Sequence, residues 1–345
     1  MATIVDVSRE ANVSVATVSR VLNGKGHVSP EVSQRVMEAI KRLEYAPNVS
    51  ARNLRRNESR VVLILAPNIT NPYYTHIIAG VGEAAHRNGY SSFLCNTEGD
   101  QEQEKQLLEM LVKHQADGAI LLATEIGADW LKPYAGRFPL VQCSEYDPNI
   151  DIVHVNVDNY RAAREVMAYL IEIGHRRIGI ISSVNKYVST AMRLKGYQDA
   201  LMAAEILPKD EYIRYATIDY SFKSGFDAAR SLLSQEKRPT ALFCISDMLA
   251  LGAIASAQEM GFRVPEDVTV VGFDDVEHTT MFHPYVTTMA QPCFELGKKA
   301  MELLLCQLRQ TPLKREVLLP HRLMVRESSA APRRSALDFA ACVTG

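Results

Sequence analysis

Long apolar runs and paired cysteines are both missing from this sequence. No stretch approaches the roughly eighteen consecutive apolar residues of a membrane-spanning helix, and no basic start is followed by an apolar segment. We therefore expect neither export nor membrane insertion and place the protein in the cytoplasm. The six cysteines show none of the short paired spacings of a zinc site or a disulfide framework. They predict isolated thiols, with no metal and no cofactor.

Motifs of the common enzyme classes are absent as well. The chain has no G-x-S-x-G nucleophile elbow, no G-x-x-x-x-G-K-[ST] phosphate loop, no G-x-G-x-x-G and no H-E-x-x-H. Because no nucleophile or metal-ligand set is singled out, we expect that the protein is not an enzyme and has no catalytic residues.

Charge is distributed unevenly, although its total is small. The 345 residues carry a formal net charge of −2, with 47% hydrophobic and 23% charged residues, as in an ordinary soluble protein of two or three domains. Residues 1–60 hold ten Lys or Arg and six Asp or Glu, so this end is +4 and the rest is −6. A basic end favours contact with nucleic-acid phosphates.

The segment from Thr3 to Asn23 has the apolar spacing of two short helices joined by a tight turn. Ile4, Val7 and Ala11 make one helical face, and Ser14 stands where an N-cap begins the second helix. That helix would bury one set of residues, Val18, Val21 and Leu22, and expose another, Val15, Ala16, Ser19 and Arg20. Small outward side chains followed by an Arg suit a helix pushed end-first into a DNA major groove. Helical domains that never touch DNA show the same pattern, so these residues alone leave both interpretations open.

A third helix and a polar segment follow. Ser29, Pro30 and Glu31 give an N-cap with Pro at the first helical position, and an apolar stripe of headpiece core continues to Leu43. The segment from Tyr45 to Arg56 is polar and basic, which is typical of a flexible linker.

From Arg60 the pattern changes to apolar runs that alternate with helical-period segments. Runs such as VVLILA, GAILLA, IVHVNV, RIGIIS, ALFCIS and VTVVGF indicate parallel sheets covered by helices on both faces. The predicted fold class is therefore a helix-turn-helix headpiece followed by an α/β core of two doubly wound parallel-sheet subdomains. Candidate core helices are Pro72 to Gly89, Gln101 to Gln115, Asn159 to Gly174, Ser189 to Ala204, Ser221 to Gln235 and Asp247 to Gly261.

The fifty residues from Asp6 to Arg55 resemble the headpiece of the lactose/galactose repressor (LacI/GalR) family, and similar segments recur to Arg326. RNESR at Arg56, CISDMLALGA at Cys244 and VPEDVTVVGFDD at Val264 are most similar to its cytidine-repressor-like branch. The resemblance implies a periplasmic-binding-protein-like core, no enzyme activity, a homodimer and a near-palindromic DNA operator. It implies DNA contacts by Val15, Ala16, Thr17, Ser19, Arg20, Asn23 and His27.

The resemblance also implies a domain division. Residues 1–46 would be the headpiece, 47–59 a hinge helix, 60–328 the core and 329–345 a loose tail. In the family the hinge folds on operator DNA and inserts a Leu into the minor groove, which corresponds here to Leu54, with Asn48, Ser50 and Arg52 holding the backbone. Within the core, one subdomain would combine 60–157 with 287–315, and the other 158–286 with 316–328.

Ligands of open α/β sheets settle at the carboxyl ends of strands, where this chain carries polar residues after nearly every apolar run. The predicted effector contacts are Asn68, Tyr73, Tyr74, Ser144, Arg193, Tyr220, Asp247, Asp274 and Gln291. Arg193 and Asp274 correspond to family effector contacts, and the tyrosines can stack on a ring. Asp247 can instead be only a helix N-cap, and both interpretations stay open.

The predicted effector is a small nucleoside, purine or sugar. Many family members carry Asn-Asp and Gly-Pro where this chain has Ser246-Asp247 and Ser182-Ser183, so binding in the manner of the best-known sugar repressors does not follow. The predicted function is a ligand-controlled repressor on the nucleoid. A solute-binding protein, or a sugar- or nucleoside-processing enzyme of similar core fold, is the alternative, and the absent export signal and the attached headpiece argue against the first of these.

Overall fold

The computed structural model describes residues 2–23, 27–45 and 58–332, and also excludes the side chain of Asn23. The chain forms two compact units, Met1–Ser59 and Arg60–Gly345. None of the helices in these described ranges is long and apolar enough to cross a membrane.

The described part of the first unit contains three helices, α1 (Ile4–Glu10), α2 (Val15–Asn23) and α3 (Pro30–Arg42). Each begins at a hydroxyl cap: Thr3, Ser14 and Ser29 accept from backbone N–H groups of the first turns. Their buried faces meet in one small core of Val7, Ala11, Val18, Val36 and Ala39. The predicted helix-turn-helix, with Ser14 as the cap of its second helix, is confirmed.

The second unit alternates strands and helices. Its strands are β1 (Val61–Ala66), β2 (Ser91–Asn96), β3 (Gly118–Leu121), β4 (Leu140–Cys143), β5 (Val153–Val157), β6 (Ile178–Ser183), β7 (Ile213–Ala216), β8 (Ala241–Cys244), β9 (Thr269–Asp274), β10 (Thr287–Ala290), β11 (Glu316–Leu319) and β12 (Arg322–Met324). Its helices are α4 (Pro72–Arg87), α5 (Gln101–Val112), α6 (Ala128–Ala135), α7 (Asn159–Glu172), α8 (Val188–Ala203), α9 (Phe222–Leu233), α10 (Asp247–Glu259) and α11 (Cys293–Leu308).

Among the described residues the strands form two six-stranded sheets. The first has the order β11-β5-β4-β3-β1-β2 and is parallel throughout, and the second has the order β12-β10-β9-β8-β6-β7, with only β12 antiparallel. Alternate residues of β1 enter two different apolar layers, Leu63 on one face and Ile64 on the other. A strand buried on both faces reads as a continuous apolar run, which explains why the sequence predicted these sheets.

The predicted subdomain boundaries need correction. β10 (Thr287–Ala290) lies in the second sheet and β11 (Glu316–Leu319) in the first, opposite to the division expected from resemblance. The chain therefore crosses between sheets near Asp158, between Ala290 and Cys293, and between Leu319 and Arg322. A strand of four residues carries no signal for which sheet it joins, because its pairing partner decides this: β9 for β10, and β5 for β11.

Candidate functional site

The outer face of α2 matches the sequence prediction. Val15 is 37% exposed, Ala16 and Arg20 are exposed, and Val18 is fully buried against the rest of the first unit. Thr17 and Ser19 are half-buried, with the Thr17 hydroxyl 2.9 Å from that of Ser14. The described end of α2 therefore presents small side chains followed by a cation, a shape that a major groove can accept.

The other predicted DNA contacts divide into two groups. His27 is exposed ahead of α3. The side chain of Asn23 and the hinge residues lie outside the described residues and stay predictions: Asn48, Ser50, Arg52 and Leu54.

A cavity of about 690 Å³ lies in the second unit, where loops after strands of both sheets come together. Three predicted residues line it, Asn68 and Tyr74 from the first half and Tyr220 from the second. The Tyr220 hydroxyl is 2.7 Å from both Thr190 Oγ1 and the Asn185 amide nitrogen, which donates to it. Burial raises the pKa of Tyr220 to about 12, so its ring stays neutral and fixed beside the cavity.

Five further predicted residues form a buried polar cluster, each less than a tenth exposed: Tyr73, Ser144, Arg193, Asp274 and Gln291. The Tyr73 hydroxyl donates to the Gln291 amide oxygen at 3.4 Å, and the Gln291 amide nitrogen donates to the Asp274 carboxylate at 2.7 Å. Tyr73 comes from α4 of the first half, whereas Asp274 ends β9 of the second sheet. The cluster therefore joins the two halves by hydrogen bonds.

The side chain of Arg193 makes its contacts with other residues of the second unit. Its Nε donates to the Asn159 side chain at 2.9 Å, its guanidinium lies 3.6 Å above the Phe273 ring, and one terminal nitrogen is 3.9 Å from the Asp274 carboxylate. Burial raises the pKa of Asp274, and the Arg193 guanidinium opposes that rise. The structure thus brings Arg193 and Asp274 together as predicted, but the residues lining the cavity do not include them.

The N-cap interpretation of Asp247 needs correction, and its effector contact stays a prediction. Ser246, not Asp247, is the N-cap of α10, since its hydroxyl accepts from the Leu249 N–H. Asp247 is fully buried and accepts from the Val276 N–H at 2.9 Å and the Thr288 hydroxyl at 2.6 Å. Its carboxylate ties α10 to β10 and does not line the cavity. Sequence cannot decide which of two adjacent strand-end polar residues caps a helix, because that depends on the backbone angles of the turn.

Three predicted residues have left-handed backbone conformations: Ser144 at φ 75°, Tyr220 at φ 52° and Asp274 at φ 124°. Such angles cost non-glycine residues about 1–3 kcal/mol each and persist only where the surroundings determine them. Tyr220 lies at the cavity, and Ser144 and Asp274 lie in the buried cluster between the halves, which supports a functional role for this region.

Two contacts between the halves escaped sequence prediction. Glu145, which follows Ser144 but was not selected, accepts from the Ser189 backbone N–H at 3.2 Å and from the Ser189 hydroxyl. The Tyr187 hydroxyl donates to the Glu125 carboxylate, and the burial of the tyrosine raises its pKa. Glu145 had a signal, its place at a strand end. Tyr187 and Ser189 lie beyond the loop after β6, where no motif marks them.

The buried carboxylate of Glu104 fixes the backbone of the loop that carries Glu125. It is fully buried in α5 and accepts from the Thr97 hydroxyl at 3.2 Å and from the backbone N–H groups of Glu125 and Ile126 at 3.1 and 3.2 Å. Burial raises the pKa of Glu104 to about 7. Within the described ranges, no group of three or more His, Cys, Asp or Glu residues is arranged to hold a metal ion.

Comparison with known proteins follows the same two-part division. Residues 3–48 match "Bacterial regulatory proteins, lacI family", and residues 167–329 match "Periplasmic binding protein-like domain". The HTH-type transcriptional repressor CytR of Escherichia coli K12 is 37% identical over 309 residues, which are 89% of this chain and 90% of the relative. Catabolite control protein A of Priestia megaterium is 35% identical over 332 residues, 95% of this chain and 99% of the relative.

Solved structures agree with the fold. The lac repressor dimer bound to operator and the anti-inducer ONPF superimposes with a TM-score of 0.86 at 27% identity, covering 96% of this chain and 99% of that one. A complex of the transcriptional regulator CelR with cellobiose gives 0.71 at 31% identity, covering 95% and 100%. With a helix-turn-helix unit, a two-sheet core and relatives that match along most of its length, the chain belongs to the LacI family of bacterial regulatory proteins.

Proposed function

We propose that the protein represses transcription as a homodimer on a near-palindromic operator, and that a nucleoside, purine or sugar in the core cavity changes its operator affinity. The observation that carries the proposal is the presence, in one chain, of an outward recognition helix and of a 690 Å³ cavity that draws on loops of both core halves. A ligand that touches both halves binds one arrangement of them better than another, and so shifts their equilibrium.

The relatives support each part of this proposal. The lac repressor neighbour is a dimer bound to its operator, and the CelR neighbour is a complex with cellobiose. One small headpiece reads only a few base pairs, so two copies on a two-fold axis are needed for useful specificity. A solute-binding protein would not need the first unit, and the relatives are regulators, not enzymes. We place the protein in the cytoplasm, on the nucleoid.

Residue roles follow from position. We propose that Val15, Ala16, Thr17, Ser19 and Arg20 read the operator, with Leu54 as the hinge wedge. Asn68, Tyr74 and Tyr220 would touch the ligand. The buried cluster around Arg193 and Asp274 would sense it by joining the two halves.

Selection from random operators tests the DNA-reading role. The full-length protein should recover a near-palindromic consensus, and a variant with Val15 and Ala16 both replaced should recover a different half-site, because these side chains form the exposed tip of α2. An identical consensus from parent and variant would overturn the assignment of α2 as the reading helix.

A further inference from the structure

The charges around the cavity are mostly negative. Three carboxylates line it, Glu98, Glu125 and Asp219, against a single cation, Lys186. They come from both halves, two after strands of the first sheet and one after β7 of the second. A phosphorylated ligand would bring further negative charge close to these carboxylates.

The helix N-termini at the cavity, which elsewhere bind anions, are occupied by the chain itself. The Glu145 carboxylate accepts a hydrogen bond from the Ser189 N–H in the first turn of α8. The Asp100 carboxylate accepts hydrogen bonds from the Glu102 and Gln103 N–H groups of α5 at 2.8 and 3.2 Å. Two of the four N-termini thus already carry a carboxylate, which disfavours a further anion there.

The other two N-termini are capped by neutral side chains. Asn71 accepts from the Tyr73 N–H at 3.0 Å, ahead of Pro72, which has no N–H to offer. Ser221 accepts from the Ser224 N–H at 3.3 Å at the start of α9. One first-turn N–H at each of these positions therefore already has a side-chain partner.

The rest of the lining suits a neutral ring. Tyr74, Tyr187 and Tyr220 bring three aromatic side chains to the cavity, and burial raises the pKa of each, so they remain uncharged. Amide side chains supply both donors and acceptors: Asn68, Asn71, Asn96, Gln101 and Asn185. Carboxylates accept hydrogen bonds from hydroxyl and amino groups, which a sugar or nucleoside carries in number.

We propose that this cavity selects an unphosphorylated ring compound, a free nucleoside or sugar, and discriminates against the phosphate ester of the same compound. The inference rests on the proposed function, because it takes the cavity to be the effector site. Discrimination comes from repulsion by Glu98, Glu125 and Asp219 and from the carboxylates that already cap two described helix N-termini at the cavity. Lys186, an exposed ammonium at the same cavity, is the group that would oppose it.

Isothermal titration of the full-length protein with ribose and the four ribonucleosides, each beside its 5′-monophosphate, tests this. We expect any compound that binds to do so at least about tenfold more tightly than its phosphate at low salt, with the gap narrowing as salt screens the carboxylates. The double variant Glu125→Gln and Asp219→Asn should narrow this difference in affinity. Glu83→Gln, which changes a half-buried carboxylate of α4 paired with Arg87, should leave it unchanged.

The outcomes separate the two proposals. Equal or tighter binding of the phosphates overturns the inference, and loss of that binding in Lys186→Gln would identify the ammonium as a phosphate anchor. Binding by neither series also overturns it. A free compound that binds selectively but leaves operator affinity unchanged upholds the inference and instead contradicts the proposed regulation.

Discussion

Arg193 makes several contacts within the protein, more than a residue that served only to bind a ligand would need. Its guanidinium donates to Asn159 and to the Ile245 carbonyl and lies against Phe273. A planar cation with several fixed donors can serve all these partners at once, which Lys could not. Changes at this position will therefore alter stability as well as any response to ligand.

Replacing Arg193 with Ala should lower the free energy of unfolding by about 3 kcal/mol, because buried acceptors lose a charged donor. Urea denaturation measures this. Arg161→Ala is the matched control, since that arginine is 73% exposed and contacts only Glu165 among the described ion pairs, and it should change stability by no more than about 0.5 kcal/mol. Equal midpoints for the two variants would contradict a structural role for Arg193.

Glu104 predicts a dependence of stability on pH. Its pKa is raised in the folded protein to about 7 from an ordinary value of 4.5. A raised folded pKa means that the folded state holds the proton more tightly. The contribution of Glu104 is therefore fully present below pH 4.5 and is lost as the pH rises through about 7.

Glu104→Gln, which cannot titrate, should remove this dependence. The melting temperature of the parent relative to the variant should fall between about pH 5 and about pH 8. Glu102→Gln, an exposed neighbour on α5, serves as the control. A parent-minus-variant difference that stays constant with pH would rule out titration of Glu104 in this range.

At the residue scale, sequence predicted positions better than roles. Asn68, Tyr74 and Tyr220 line the cavity because strand-end positions are fixed by the fold. Asp247 is buried and accepts hydrogen bonds from Val276 and Thr288. Glu145 and Tyr187, which make contacts between the halves, were not among the predicted site residues. Hydrogen bonds between the two halves depend on how the sheets face each other, which no local pattern encodes.

Among the elements, α2 depends on its cap. The Thr17 N–H donates to the Ser14 hydroxyl at 3.1 Å, and the helix is only nine residues long, so few other bonds support its first turn. Ser14→Ala should cost the first unit about 1 kcal/mol and weaken operator binding without changing the preferred sequence. Ser14→Thr keeps a capping hydroxyl and should restore most of both.

Two measurements on the full chain check this. Circular dichroism follows the thermal melting of residues 1–59, and a titration with operator DNA gives the binding affinity. Unchanged operator affinity in Ser14→Ala would show that the cap does not limit the recognition helix. A changed consensus sequence would show instead that Ser14 itself reads bases.

Element prediction succeeded where burial was complete on both faces. The candidate helices from Pro72 to Gly261 were all found, each within three residues at either end. The edge strand β2 and the helices α6 and α11 were missed. Phe93 of β2 is 50% exposed and Tyr215 of β7 is 54% exposed, so edge strands lack the unbroken apolar run that identified the central ones.

For the whole molecule, the proposed regulation requires reciprocal coupling. If effector changes operator affinity by some factor, operator must change effector affinity by the same factor. Titrating effector into the full chain with and without operator should therefore give different affinities, and a core lacking residues 1–59 should show no difference. Equal affinities in the full-length titrations would contradict allosteric repression.

Leu54→Ala separates the two ends of that coupling. Loss of the predicted hinge wedge should weaken operator binding while leaving effector affinity in the absence of DNA unchanged. Unchanged operator affinity in this variant would contradict the hinge assignment, which rests on sequence resemblance because Leu54 lies outside the described residues.

The pairing of β11 with β5 has a consequence for synthesis on the ribosome. His154 is in register with Glu316, so β5 has no partner on its outer side until almost the whole chain has emerged. Contacts so distant in sequence form slowly, and an open strand edge is a template for pairing with another nascent chain. Chains stalled or truncated before Glu316 should therefore aggregate and depend on chaperones, even though every strand of the second sheet except β12 has already been made.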